Sequence, residues 1–528
     1  MAGFHIEHFG CRAARADGEA LAENLRTMSE LEPLAADVVI VNTCSVTAEA
    51  DRAARAFIRR AHRKNPATKI VVTGCYAQRA PEELAAMAGV AAVVGNSHKA
   101  LAPEIIRVLT RGAGWTASQP PRLVPVAQLL SASGPKAPIW ADDRFAHSFM
   151  EDVHWGDAQL APGTQTRPNL KIQEGCGNRC TFCVIPFTRG PSKSLPHAVV
   201  MRQVGGFVAA GGRELVLSGI NLGRWGRDVA APAIAEERNW SPTLDNSQRA
   251  RIAKSGATAK DGAASLAGLV REILEETELP RLRLSSIEPM DWDDALIALM
   301  REFGGGRLAR HAHLPLQSGS DAVLRRMHRR YRPWHYAEKV RALVDAAGPD
   351  LTLGADVMVG FPGETDGEFE ETLAFIRALP FGYLHLFPFS ARPGTRGWAL
   401  HAADPVAAAV VDQRMSALRA LTAEKSEAHR RRFVGRELEA ITLHTPAALA
   451  RRGCTTALTE NFLPVELEGR FAANQLLRVR VKGLNADGAL ECSLALTGPS
   501  QYGATATSVS PKSVPLNNNS SPVSLARA

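Results

Sequence analysis

Three cysteines fall within eight residues in the stretch Ile172-Gln-Glu-Gly-Cys176-Gly-Asn-Arg-Cys180-Thr-Phe-Cys183-Val-Ile-Pro186, spaced Cys-x3-Cys-x2-Cys. Thiolates this close together let a single loop wrap an iron–sulfur cluster. On a four-iron cube three thiolates leave one iron without a protein ligand, and an open iron is where a small molecule can bind. A closed zinc site is the bland alternative, but it needs a fourth Cys or His at short spacing. The next histidine, His197, follows a Pro/Gly/Ser-rich stretch and is poorly placed for that. A disulfide pair is the third reading.

A second trio lies upstream. Over 4–97 short apolar runs alternate with helical stretches, as a parallel α/β sheet requires. Phe4-His-Ile-Glu-His-Phe9 precedes Cys11, Asp37-Val-Val-Ile-Val-Asn42 precedes Cys44, and Lys69-Ile-Val-Val-Thr73 precedes Cys75. Each cysteine follows the carboxyl end of an expected strand, where open α/β sheets hold their ligands. Cysteines about thirty residues apart can therefore meet at one cluster; three separately buried cysteines are the competing reading. Six of the eight cysteines belong to these trios, which suits metal binding in a reducing compartment. With no secretory leader and no apolar run of membrane length, the chain is expected in the cytoplasm, off the membrane. A net charge of +8 suits a nucleic-acid partner. The helix expected over 48–63 carries Arg52, Arg55, Arg59, Arg60 and Arg63, either as a solvated face or as a contact for RNA phosphate.

A chain of 528 residues has material for two or three cores. The expected division is an N-terminal α/β domain over 1–110, a linker over 111–166, a central domain over 167–400, a helical connector over 401–435, a small β-barrel over 436–498 and a disordered tail over 499–528. The central region repeats strand then helix, the rhythm of a full or partial β/α barrel, with strands expected at 169–173, 214–218, 282–286, 311–316, 352–359 and 383–389. Cys176, Gly219, Glu288, Gln317, Gly360 and Ser390 lie at or beyond the ends of those strands, the face where such barrels hold their chemistry. A polar inserted loop is expected over 230–264. Short alternating strands after residue 436 suggest the small barrel, with Arg478, Arg480 and Lys482 on one face, either solvated or set against RNA backbone.

The Cys176 loop, with Gly175 before it and Ile185-Pro186-Phe187-Thr-Arg189-Gly190 after it, resembles the signature of radical S-adenosylmethionine (SAM) enzymes, in their methylthiotransferase branch. Asn42-Thr-Cys44-Ser-Val-Thr47, Thr73-Gly-Cys75-Tyr-Ala-Gln78 and Val94-Gly-Asn96 with Lys99 resemble that family's N-terminal blocks. Further blocks follow in order around Gly219, Glu288, Gln317, Asp356 and Ser390. Ala14 is a departure, standing where the family has Asn. The resemblance implies two [4Fe-4S] clusters, one on Cys11, Cys44 and Cys75 and one on Cys176, Cys180 and Cys183. It also implies Gly219, Glu288, Gln317 and Asp356 as SAM residues. One SAM would methylate sulfur at the first cluster, and a second would yield the 5′-deoxyadenosyl radical. The last domain resembles the TRAM-like RNA-binding barrel, implying contacts from Arg430, Arg431, Arg432, Thr459, Asn461, Arg478, Arg480 and Lys482.

Within the branch, Ser285-Ser-Ile-Glu288-Pro289 and His385-Leu-Phe-Pro-Phe-Ser390 most resemble the group acting on N6-threonylcarbamoyladenosine (t6A) in tRNA. Partners implied are tRNA, an electron donor such as flavodoxin or ferredoxin, and a sulfur source. Isopentenyladenosine tRNA or a ribosomal protein is the alternative substrate. A non-catalytic iron–sulfur RNA-binding protein is the alternative of another class.

Overall fold

The computed structural model describes residues 3–25, 29–30, 35–110, 137–145, 149, 166–228 and 265–495. The expected insertion over 230–264 and the tail over 499–528 lie outside these described residues.

The N-terminal domain is one parallel sheet. Its strands are β1 (Gly3–His8), β2 (Ser29–Glu30), β3 (Val38–Thr43), β4 (Lys69–Gly74), β5 (Val90–Gly95) and β6 (Ile139–Trp140), in the order β2-β1-β3-β4-β5-β6. β3 is buried along its whole length, which is why it reads as an unbroken apolar run. The helices α1 (Arg12–Asn24) and α2 (Ala48–Lys64) follow β1 and β3, and the Thr47 hydroxyl caps α2 by accepting from Ala50 N. β6 corrects the boundary expected at residue 110. Part of the supposed linker pairs with β5, and Trp140 is buried in the domain's core.

The central domain holds two sheets that continue one another. β7 (Asn169–Glu174), β8 (Lys193–Ser194), β9 (Glu214–Gly219) and β10 (Arg281–Leu284) run in the order β10-β9-β7-β8. β11 (His311–His313), β12 (Thr352–Val359) and β13 (Phe381–Pro388) form the second sheet. Bridges from Leu282 to Leu308 and from Ser286 to His313 join the two, so β7, β9, β10, β11, β12 and β13 curve in parallel around one core. This is the partial barrel. β11 ends earlier than expected because Pro315 has no N–H to add to the ladder, although Leu314 N and Leu316 N still donate to β12 carbonyls.

A long helix (Ala408–Arg431) packs along β13 and leads to the third domain. There β14 (Glu437–Thr442), β15 (Cys454–Thr459), β16 (Pro464–Glu468), β17 (Leu476–Leu484) and β18 (Leu490–Leu494) close as β14-β15-β16-β18-β17. Closure removes the free strand edges.

Buried charge fixes the domains together. At the partial barrel's amino end, Glu214 is buried among Arg283 (2.8 Å), Arg167 (3.1 Å) and Arg281 (3.3 Å). Arg281 also reaches Glu439 of the small barrel, and Arg283 donates to the Thr459 carbonyl at 3.2 Å. These arginines hold the Glu214 carboxyl down at about 2 against the opposing effect of burial. On the other side, Asp17 and Lys99 of the N-terminal domain interlock with Lys171, Glu174 and Arg189. Lys99 Nζ lies 3.1 Å from Asp17 and 2.5 Å from Glu174, Arg189 lies 3.1 Å from Asp17 and 2.7 Å from Glu174, and Lys171 contacts both carboxylates.

Two outcomes are expected. Glu214→Gln leaves buried guanidiniums without a counter-charge and lowers unfolding stability by about 3–5 kcal/mol in urea titration. Because the folded value of Glu214 lies below its unfolded one, its contribution is present above about pH 4.5 and fades as pH falls towards 2, so the gap between wild type and variant shrinks over that window. Glu174→Gln loosens the N-terminal domain, seen as faster hydrogen exchange in 12–24 and 169–174.

Candidate active site

Both cysteine trios sit at strand ends, as their spacing predicts. In the N-terminal sheet β1, β3 and β4 are adjacent, so Cys11, Cys44 and Cys75 follow neighbouring strands. Gly74 makes this possible: its φ is 98°, and a Cβ there would meet the Thr43 carbonyl oxygen at 2.3 Å. Cys44 and Cys75 are buried and Cys11 is exposed. Each of the two buried sulfurs receives N–H groups: Val46 N reaches Cys44 Sγ at 3.5 Å, while Asn96 Nδ2 and Arg189 Nε reach Cys75 Sγ at 3.4 and 3.2 Å. Arg189 belongs to the central domain, so the residue that follows the second cysteine loop supports the first trio.

That second loop leaves β7 through Gly175, whose φ is 68° and whose Cβ would strike the Pro191 carbonyl oxygen at 2.0 Å. Cys176 N donates to the Gly190 carbonyl at 3.0 Å, closing the loop. Gln173, fully buried, donates to the Glu174 and Gly175 carbonyls and accepts from Asn221 N at 2.6 Å. Asn221 Nδ2 approaches Cys176 Sγ at 3.6 Å, and Arg329 Nη1 approaches Cys180 Sγ at 3.3 Å. Burial pushes the Cys44 and Cys183 thiols up to about 12, so as bare thiols they stay protonated. A bound metal ionises such ligands directly.

The donor sets fit clusters and not zinc. Among the described residues, the one group of three candidate ligands with donor atoms all within 4.8 Å of one another is His313, Asp356 and His385. Neither cysteine trio is that compact, whereas tetrahedral zinc–thiolate sites bring sulfurs to about 3.8 Å. Open trios with N–H groups aimed at sulfur suit the larger iron–sulfur cube. A polar ligand also fits beside the second trio, because Ser218 Oγ, Asn221 Oδ1 and Ser285 Oγ are buried there without partners.

The expected SAM residues lie on or beyond four neighbouring strands of the partial barrel, β9, β10, β11 and β12. Gly219 ends β9 against Gln173, where a Cβ would lie 2.9 Å from the Gln173 Cβ. Glu288 is joined to the Cys180 side by its ion pair with Arg329. Gln317 adopts a left-handed φ of 65° and donates its N–H to the Asp356 carbonyl at 2.8 Å. Asp356 is flanked by His313 Nε2 at 3.4 Å and His385 Nδ1 at 3.3 Å, and these imidazoles hold its carboxyl below the usual range despite its burial.

The RNA residues expected in the last domain need correction. Thr459 and Asn461 are fully buried; the Thr459 hydroxyl donates to Asn461 Oδ1 at 2.6 Å, and Asn461 Nδ2 donates to the Asp350 carbonyl at 3.0 Å. They dock the barrel on the central domain instead of facing solvent. Arg430 and Arg432 donate to the carbonyls of Gly488 and Pro349, and Arg431 pairs with Glu427. Arg478, Arg480 and Lys482 do share an exposed face, but Arg480 pairs with Glu437 and Lys482 with Glu468. A denser basic surface lies elsewhere. A cavity of about 470 Å³ beside the Cys176 loop is lined by Arg179, Arg325, His328, Arg329, Arg330 and Arg332. Its arginines come from two distant segments, and their sequence signal is the basic stretch Arg325-Arg-Met-His-Arg-Arg-Tyr-Arg332, to which the fold adds Arg179.

Similarity to known proteins agrees with this geometry. Residues 3–95 match the family described as Uncharacterized protein family UPF0004, and residues 170–376 match the Radical SAM superfamily. The threonylcarbamoyladenosine tRNA methylthiotransferase MtaB of Aquifex aeolicus (strain VF5) is 30% identical over 480 residues, covering 90% of this chain and 99% of the relative. The protein of the same name from Bacillus subtilis (strain 168) is 31% identical over 474 residues, 89% of this chain and 91% of its own. The tRNA-2-methylthio-N(6)-dimethylallyladenosine synthase of Erythrobacter litoralis (strain HTCC2594) is 32% identical over 455 residues, 84% and 86% of the two chains. Among the described residues no helix is long and apolar enough to cross a membrane. With both domains matched in order and Arg189 of the second reaching Cys75 of the first, the chain belongs to the radical SAM methylthiotransferases that act on tRNA, a family that binds two [4Fe-4S] clusters and uses SAM.

Proposed function

We propose that this protein installs the 2-methylthio group on t6A in tRNA. The observation that carries the two-cluster reading is Arg189, which caps the short helix after Cys183 and donates to Cys75 Sγ at 3.2 Å, linking the segment of the second trio to the first. Cys11, Cys44 and Cys75 would hold one cluster and Cys176, Cys180 and Cys183 the other, with Gly219, Glu288, Gln317 and Asp356 beside SAM. When bound, these groups supply the sulfur and methyl to be transferred and a one-electron route to an aromatic C–H bond that carries no usefully acidic proton.

The chain's own residues position and shield. Asn221 and Arg329 direct N–H groups at the second trio, as Asn96 and Arg189 do at the first. Such donors stabilise anionic sulfur and tune its potential. Arg392 clamps the turn after Cys44 by donating to Ser45 Oγ at 3.0 Å and pairing with Asp51. Ser390 Oγ accepts from Ala48 N at 3.0 Å, tying α2 to the end of β13. These contacts keep the N-terminal domain over the barrel's carboxyl face, so that water is excluded from the reacting base.

The choice of t6A over isopentenyladenosine rests on His385, which lies in the block that resembles the t6A group and sits in the crevice against Asp356. The relatives named for the two substrates are equally similar to this chain. For tRNA backbone, the cavity beside the Cys176 loop is the surface we favour. Arg179 and Arg330 are exposed on it and make no ion pair among the described residues, so both are available to phosphate.

Nucleoside mass spectrometry of tRNA from a deletion strain and its complemented parent is expected to show loss and return of the methylthio form of t6A; loss of methylthio-isopentenyladenosine instead would overturn the substrate assignment. Cys44→Ala is expected to abolish methylthiolation while SAM cleavage continues. Arg179→Glu combined with Arg330→Glu is expected to weaken tRNA binding at least tenfold in filter binding, and to flatten its salt dependence.

A further inference from the structure

The side chain of Arg12, next to the cluster ligand Cys11, leaves its own domain. It stands over the Phe462 ring, 5.4 Å from the centroid, in a group built from three parts of the chain. Phe462 comes from the small barrel and adopts a left-handed φ of 69°, a conformation that a non-glycine residue keeps only when its surroundings hold it. Its ring stacks on His311 at 4.3 Å and lies 5.6 Å from Tyr383, which in turn lies 5.2 Å from His385. The Tyr383 hydroxyl and His311 Nε2 are 2.8 Å apart. The result is an aromatic floor running from the small barrel towards Asp356.

The charge balance on this floor is unequal. Arg12 is partly buried and makes no hydrogen bond or ion pair among the described residues. Arg283, 5.3 Å from the same centroid, is fully buried with Nη1 unpartnered. The carboxylates within reach are already engaged: Asp356 by two imidazoles, Glu214 by three guanidiniums. A guanidinium in such a place has hydrogen-bond donors to spare, and an anion from outside the chain can take them.

We propose that Arg12, above the floor formed by Phe462 and Tyr383, receives the free carboxylate of the threonylcarbamoyl arm and so selects the anionic substrate. The inference rests on the t6A reading and deepens it. The planar carbamoyl suits a stacked aromatic floor, and a carboxylate matches the guanidinium fork. An isopentenyl arm would leave the guanidinium unpaired, and a site built to bind a polar group rejects a substrate lacking it more strongly than an apolar pocket rejects a misfit. Because Arg12 adjoins Cys11, the arm would be anchored beside the first trio, where the base has to present its carbon.

The test compares two RNA anticodon stem-loops on the reconstituted holoenzyme, one bearing t6A and one bearing its neutral methyl ester at the same position. Wild type is expected to favour the acid over the ester by about 10- to 100-fold in kcat/KM, mainly through KM, the range a charge-assisted hydrogen bond supports. Arg12→Met is expected to bring that ratio to near one, and Arg12→Lys to retain most of it; iron content and circular dichroism equal to wild type report an intact fold. If wild type converts the t6A loop but does not distinguish acid from ester, or if Arg12→Met slows both equally, as loss of a phosphate contact or of packing would, the carboxylate pocket is overturned while the t6A reading stands. Conversion of an isopentenyladenosine loop in place of t6A overturns both.

Discussion

The contact between the first two domains depends on an ion network that is almost entirely buried. Asp17, Lys99, Lys171, Glu174 and Arg189 bring three cations and two carboxylates together across the boundary between the first two domains, and Arg189 extends it to the sulfur of Cys75. Burying such charges costs several kcal/mol per ion unless every one is compensated. Arg189 carries the network's extra positive charge to within 3.2 Å of the Cys75 sulfur. Burial lowers Lys99 to about 8, while the cations around Glu174 hold its carboxyl well below the ordinary range. A network so constrained specifies one domain arrangement more than it adds to stability.

The small barrel plays a second positioning role. Its Thr459-Glu460-Asn461-Phe462 turn points into the central domain: Asn461 bonds the Asp350 carbonyl, Glu460 pairs with Arg310 at 2.6 Å, and Phe462 enters the aromatic group around His311 and Tyr383. A domain that resembles an RNA binder thus also builds one wall of the crevice. The same turn that looks like a recognition motif in one dimension is an interface in three.

Much of this was legible in the chain. The trio at Cys176, Cys180 and Cys183 is local, so its place on one loop after β7 follows from spacing alone. The trio at Cys11, Cys44 and Cys75 was legible one step further on, because parallel strands repeat a geometry and place successive strand ends side by side. The alternation of Arg478, Arg480 and Lys482 with buried Val479 and Val481 follows from the two-residue period of a strand. What the pattern could not tell is whether those charges are free, since Glu437 and Glu468 come from other strands.

By itself the sequence determined the family and the three fold classes in their order, a parallel α/β sheet, a partial β/α barrel and a small closed barrel, because each follows from short-range spacing and from periodicity. Tertiary structure alone decided how charge is apportioned. It turned Thr459 and Asn461 from recognition residues into docking residues, drew Arg189 from one domain to a sulfur in another, gathered the arginines beside the Cys176 loop, and left Arg12 without a counter-ion on an aromatic floor. Hydrogen bonds and ion pairs between residues more than a hundred positions apart have no periodic signature, and the free energy of a charge depends on its burial and on its neighbours, which exist only once the chain has folded.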